Sequence, residues 1–150
     1  MPEKGLKYVA RTTVGADNTA LAMGSGDMEV FATPAMVALM EHAAMYAVAA
    51  DLPEGSTTVG ASMETTHVRP SAVGAVIAAE AELVETEGRR LTFRVAAFDG
   101  EALIGEGTMC VISWTGPNSC RSFESASFGT VSAQGRPGTE GSYMERTCKR

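Results

Sequence analysis

Residues 31–50 read Phe-Ala-Thr-Pro-Ala-Met-Val-Ala-Leu-Met-Glu-His-Ala-Ala-Met-Tyr-Ala-Val-Ala-Ala, and this stretch decides the fold. Met36, Val37, Met40, Ala44 and Ala47 recur at helical spacing, which predicts a helix over 34–50. Thr33 can cap it through its hydroxyl. Pro34 suits the first helical position, where its missing N–H would have no partner. Ala35, Ala38, Ala43, Ala49 and Ala50 cover most of the remaining surface. A helix with so little polar surface is expected to be wrapped by other elements rather than to lie in solvent. Asp51-Leu52-Pro53-Glu54-Gly55 ends it.

On the N-terminal side, residues 6–14 have the β-branched and aromatic content of a strand and stop at Gly15-Ala16-Asp17-Asn18. Residues 15–27 read as a loop, and Met28 to Phe31 as a short extended piece. On the C-terminal side four extended segments follow: Thr57–Val68, Val73–Glu85, Arg89–Phe98 and Ala102–Trp114. Arg69-Pro70, Glu87-Gly88 and Asp99-Gly100 separate them, the last being a strong hairpin signal. Leu91, Phe93 and Val95 alternate with Thr92 and Arg94, so one face of that strand is buried. One long helix followed by an antiparallel meander is an α+β arrangement, and the sheet must curl around the helix to bury it. Residues 1–114 form the expected domain. From 115 to 150 Gly, Ser, Thr, Pro and charges dominate without periodicity, the composition of a disordered C-terminal tail.

Bulk properties narrow the function. The formal net charge of −6 opposes nucleic acid and anionic membrane surfaces, so neither is expected as a partner. No run of about 18 apolar residues offers a membrane span, and the polar N-terminus lacks the pattern of a signal peptide. Cys110, Cys120 and Cys148 include no CxxC pair and are odd in number, which suggests neither a zinc site nor a disulfide framework. A reduced, cytoplasmic protein is expected. Nucleotide, metalloprotease and hydrolase-elbow motifs are missing, so no cofactor is implied. Arg69, Arg89 and Arg90 remain candidates to receive an anionic ligand such as a phosphate.

Few residues can carry chemistry. Glu41 lies mid-helix among apolar neighbours, where a carboxylate is costly unless it is used or paired. The plainer reading is a solvent-exposed stripe on a surface helix. Thr33, eight residues earlier, falls on nearly the same face about 12 Å away. It serves as a cap, as part of a site, or as both, since a helix N-terminus also offers N–H groups to a carbonyl oxygen. His42 points about 100° away from Glu41, toward the outside. His67 ends a strand that could cross the helix, although a lone histidine is usually structural or exposed. Gly60 and Ala61 lie early in that strand, where a missing side chain lets a ligand approach the backbone. Glu64 should face away from His67. Cys110 reads as a small buried hydrophobe. Gly105 and Gly107 leave one face of the last strand bare, as a bulge or a close ligand approach would require.

Phe31-Ala32-Thr33-Pro34 through Glu41, Thr58-Val59-Gly60-Ala61, Thr66-His67, Glu87-Gly88-Arg89-Arg90-Leu91 and Ile104-Gly105-Glu106-Gly107-Thr108 together resemble the fluoroacetyl-CoA thioesterase-like family of hotdog proteins. The resemblance covers roughly residues 6–114. It implies a hotdog fold, with a five- or six-stranded antiparallel sheet around a long helix, working as a homodimer on an acyl-CoA substrate. It implies a Thr–Glu–His site that hydrolyses a short acyl-CoA thioester, here Thr33, Glu41 and His67. Gly60 would offer its N–H to the thioester carbonyl, with Phe31 and Arg69 on the substrate. The chain departs from the family in the strand after Thr108, where Met109-Cys110-Val111 stands in place of His-Glu-Arg, and residues 15–27 show no counterpart of its aromatic lid. A hydratase or dehydratase would need an Asp/His pair at another spacing, which the chain does not have. The competing reading is a non-catalytic acyl-CoA binding or regulatory module.

Overall fold

The computed structural model describes residues 1–116. β1 (Lys7–Thr13) and a short helix α1 (Ala20–Met23) lead into the long helix α2 (Thr33–Val48), and four strands follow: β2 (Ser56–Thr65), β3 (Val76–Glu87), β4 (Arg90–Asp99) and β5 (Ala102–Thr115). All neighbours pair antiparallel in the order β1-β3-β4-β5-β2. Two tight hairpins build the centre. Gly88 and Gly100 take positive φ values of 59° and 61° in the turns closed by Glu87–Arg90 and Asp99–Ala102, the left-handed backbone such turns demand.

The alternation read in the sequence has a physical outcome. Ile77, Leu83, Leu91, Phe93, Val95 and Met109 point from the sheet onto Met36, Met40, Ala44 and Val48 of α2, and together they form the core. The sheet covers only one side of the helix. Pro34, Ala38, Glu41, His42, Met45 and Tyr46 are exposed, so the expectation of a helix wrapped all round, with Glu41 enclosed, is corrected for a single chain. Five strands curl far enough to bury one stripe of a helix, and the opposite stripe needs a second layer.

Three differences from the sequence reading stand out among shifts of one or two residues at other element ends. Residues 15–27 are not all loop: Thr19 caps α1 by accepting from Ala22 N at 3.1 Å, and Gly24 closes it with a φ of 71°. β2 stops at Thr65, so His67 follows the strand rather than ending it. Its neighbours still bond β5, through Thr66 N to Glu106 O at 2.9 Å and Val68 N to Ile104 O at 2.7 Å. β3 runs over 76–87 instead of 73–85, because Gly74, with a φ of 93°, turns the chain before it. The expected tail falls outside the described residues, apart from Thr115, which completes β5, and Gly116. No helix among the described residues is long and apolar enough to cross a membrane.

Candidate active site

The N-terminus of α2 is not capped by a threonine side chain. Ala32 is the cap residue, with extended backbone and no side-chain bond, and Thr33 is already inside the helix with Pro34 after it. The Thr33 hydroxyl is thereby released from the capping role expected for it. It meets His67 instead, Oγ1 lying 2.7 Å from Nδ1. His67 is half-buried. Its burial lowers the imidazole pKa from the ordinary 6.5, and a backbone hydrogen bond involving Arg69 opposes this only in part. The ring is therefore neutral at neutral pH and carries one N–H. Its other nitrogen, Nε2, is buried and has no hydrogen-bond partner among the described residues. A neutral imidazole on a hydroxyl, with a second nitrogen free for a reactant, is the arrangement of a proton acceptor.

Glu41 lies two turns further along α2, in a second pairing. A Cβ placed on Gly60 of β2 would overlap Glu41 Oε1, so the carboxylate occupies the space that the glycine leaves open. Gly60 also marks a bulge, where the register against β5 shifts between Gly60 and Ser62. Glu41 has no ion pair among the described residues. Thr33 and Glu41 thus both turn toward β2 and its continuation. One chain nevertheless keeps the Thr33–His67 and Glu41–Gly60 pairs about 12 Å apart along the helix axis.

An open cavity of about 250 Å³ adjoins the first pair, lined by Ala20, Ser25, Val30, Phe31, Thr33, His67, Val68, Arg69 and Pro70. Phe31 is buried, and its amide is held by Ser71 O at 2.9 Å. Arg69 is exposed at the rim. Ala20 and Ser25 were not anticipated, and their only sequence signal was the Thr19/Gly24 capping pattern of α1. Glu64 is exposed and Cys110 buried, as read from the sequence, while His42 lies against Tyr46 with ring centroids 4.6 Å apart and planes tilted by 40°. Gly105 and Gly107 admit backbone rather than ligand, since a Cβ on either would strike the Thr66 or Glu64 carbonyl. A larger groove, about 760 Å³, lies on the outer sheet face. Its central carboxylate, Glu82, is already engaged by Arg94 at 2.6 Å and Lys7 at 3.5 Å, and the Arg94 bond chiefly holds its pKa below the ordinary value. The lining of that groove holds no histidine or cysteine.

A curled antiparallel sheet holding one long helix, with the paired side chains on the β2 side of that helix, defines the hotdog class. A hot-dog-like protein from Thermanaerovibrio acidaminovorans superposes with a TM-score of 0.70 at 20% identity, over 81% of this chain and 87% of that one. Residues 14–112 match the family described as fluoroacetyl-CoA-specific thioesterase, and the chain belongs to that family. The fluoroacetyl-CoA thioesterase of Streptantibioticus cattleyicolor is 45% identical over 80 residues, which span 53% of this chain and 58% of that relative. A mutant of the fluoroacetyl-CoA-specific thioesterase FlK, crystallised with fluoroacetate and CoA, is 31% identical with a TM-score of 0.72, over 81% of this chain and 99% of that one.

Proposed function

We propose that this protein is an acyl-CoA thioesterase that hydrolyses a short acyl-CoA to the free acid and CoA, with Thr33, Glu41 and His67 as its catalytic residues. The observation that carries the reading is the 2.7 Å contact between Thr33 and a half-buried, neutral His67 at the mouth of a small cavity. The thioester carbonyl lies near the N-terminus of α2 of one protomer, polarised by the backbone N–H groups there and by that of Gly60. Gly60 and Glu41 come from its partner in a dimer, since one chain keeps the two pairs about 12 Å apart. Glu41, fixed against Gly60, delivers the attack, either directly or through a water it deprotonates. The C–S bond breaks and CoA leaves as the thiolate. Neutral His67 accepts the proton released by the water, either the one Glu41 has taken from the attacking water or the one freed when water hydrolyses a Glu41 acyl anhydride. It passes that proton to the thiolate, so that thioester and water become free acid and CoA with Glu41 and His67 restored. Phe31 walls the acyl end, and Arg69 at the rim meets a phosphate of CoA.

The working form is a homodimer. The exposed side of α2 carries Met45 and Tyr46 beside Glu41, and β2 is an unpaired sheet edge among the described residues, so a monomer leaves the carboxylate on open surface. We assign the enzyme to the cytoplasm on the strength of its substrate class. The catalytic domain is residues 1–115, one residue longer than the sequence bounds, since Thr115 completes β5.

Thiol release from a panel of acyl-CoAs, fluoroacetyl-CoA included, read with a thiol-reactive dye, tests the activity. Glu41→Gln and His67→Ala should each lower turnover strongly with the fold intact by circular dichroism. Acyl-CoA binding without thiol release would make the chain a binding module, and a monomeric mass in solution would remove the dimer.

A further inference from the structure

We propose that Thr66 and the Gly105-Glu106-Gly107 segment of β5 form a positioning device that presents His67 to Thr33; this rests on the reading of His67 as a catalytic residue. His67 lies beyond the end of β2, where regular ladder pairing no longer fixes a side chain. A different set of contacts replaces the ladder, and they converge on one residue of β5, Glu106. Thr66 N donates to Glu106 O at 2.9 Å. The Thr66 hydroxyl donates to the same oxygen at 3.3 Å and accepts from Glu106 N at 3.3 Å. Thr65 Oγ1 adds a donation to Glu106 O at 3.1 Å. Val68 N closes the far side on Ile104 O at 2.7 Å. His67 is thus held between two anchored neighbours.

The glycines let the crossing happen. The Thr66 carbonyl lies where a Gly105 Cβ would be, and that Cβ would also come within 2.8 Å of Met36 Sδ. The Glu64 carbonyl takes the corresponding place at Gly107, where a Cβ would come within 2.7 Å of Thr65 Cα. Neither obstacle at the backbone can rotate aside. Any side chain at 105 therefore lifts residue 66 off β5, and His67 moves with it. The sequence pattern Gly-Glu-Gly, bare on one face, is explained by this approach of backbone to backbone.

Burial is the main reason the His67 imidazole resists protonation, so a displaced ring would lose part of that shift. The charged groups on the surrounding elements are Arg69 on its own segment, Glu64 on β2, Glu106 on β5, Glu41 on α2, and Asp17, Asp27 and Glu29 on the stretch before α2. All seven are exposed, and none of them accounts for the shift.

Thr66→Val tests the proposal, because it removes the hydroxyl's two bonds while keeping shape and the backbone contact. Thiol-release kinetics should show kcat lowered by about ten-fold with KM within about two-fold of the original, as expected when a catalytic group is misplaced by a fraction of an ångström. Thr66→Ser, which restores the hydroxyl, should bring kcat back. Titration of the His67 ring by NMR should show its pKa rising toward 6.5 in Thr66→Val and returning in Thr66→Ser. Unchanged kcat together with an unchanged His67 titration in Thr66→Val would overturn the device. Gly105→Ala should act in the same direction more severely, with a lowered melting temperature. Full activity in His67→Ala would refute the catalytic reading instead, and the NMR titration would then decide the positioning role alone.

Discussion

Replacing Gly60 by alanine separates catalysis from stability. The new Cβ would overlap Glu41 Oε1, whereas the next atoms are at ordinary distance, Glu41 Cδ at 3.5 Å and Met109 Cε at 3.9 Å. One carboxylate oxygen must retreat by roughly 1 Å, and it is the free end of a flexible, exposed side chain. Moving it off its preferred rotamer costs about 0.5–1.5 kcal/mol. Gly60 does not have a positive φ, so alanine also gains about 0.4–1 kcal/mol by restricting the unfolded chain. The two nearly cancel, and the melting temperature should move by no more than about 4 °C. Turnover should not be spared. A nucleophile displaced by about 1 Å loses about 10²-fold in rate, equivalent to about 2.7 kcal/mol of barrier. Thiol release at saturating acyl-CoA, with thermal unfolding followed in parallel, reads both quantities. Turnover equal to the original protein's would show that the carboxylate does not act from its place against Gly60. A fall of more than about 10 °C in melting temperature would show that the clash is borne by backbone and not by Glu41.

Other outcomes follow from the same geometry. Thr33→Ala should leave stability within about 0.5 kcal/mol, since Thr33 caps nothing, while kcat falls with the loss of the His67 contact; denaturant melts and kinetics check both halves. The lowered pKa of His67 predicts a rate that climbs with pH on a limb below 6.5 and is flat through neutrality in a kcat/KM profile. The same shift makes stability depend on pH. Between the folded pKa and 6.5 the unfolded chain binds the extra proton, so His67's contribution is complete above 6.5 and is lost as pH falls through the folded value. Melting curves of the original protein and His67→Ala should converge on acidification. Phe31→Ala empties a fully buried site and should cost about 3–5 kcal/mol while raising KM for short acyl groups, measured by melting and by substrate titration.

The long helix and the meander were legible because each has a strong period: Met36, Met40 and Ala44 repeat at helical spacing, and Leu91, Phe93 and Val95 at strand spacing. The short helix α1 was not, since four residues show no period and only the caps at Thr19 and Gly24 announce it. Thr33 as a capping residue was reasonable from local chemistry and lost to tertiary chemistry, because a histidine 34 residues away competes for the same hydroxyl. Glu41 was singled out for its apolar company, yet that company describes a surface facing out of the single chain. Its pairing with Gly60 depends on a bulge in β2, and a bulge leaves no mark in composition. Val111, in place of the family's arginine, proves to be the buried register partner of Gly60 and Leu91.

β5 carries a consequence for how such a chain tolerates change. Gly105 admits the backbone beside His67, and Val111 stands opposite the glycine that receives Glu41, six positions later along one strand. The spacing between the two halves of the site is therefore written as a count of residues in β5. Because successive side chains alternate faces, inserting or deleting one residue between 105 and 111 would turn one half inside out while the other stayed in register. Length changes in descendants of this sequence should collect in the turns at 88–89 and 100–101 and avoid 105–111.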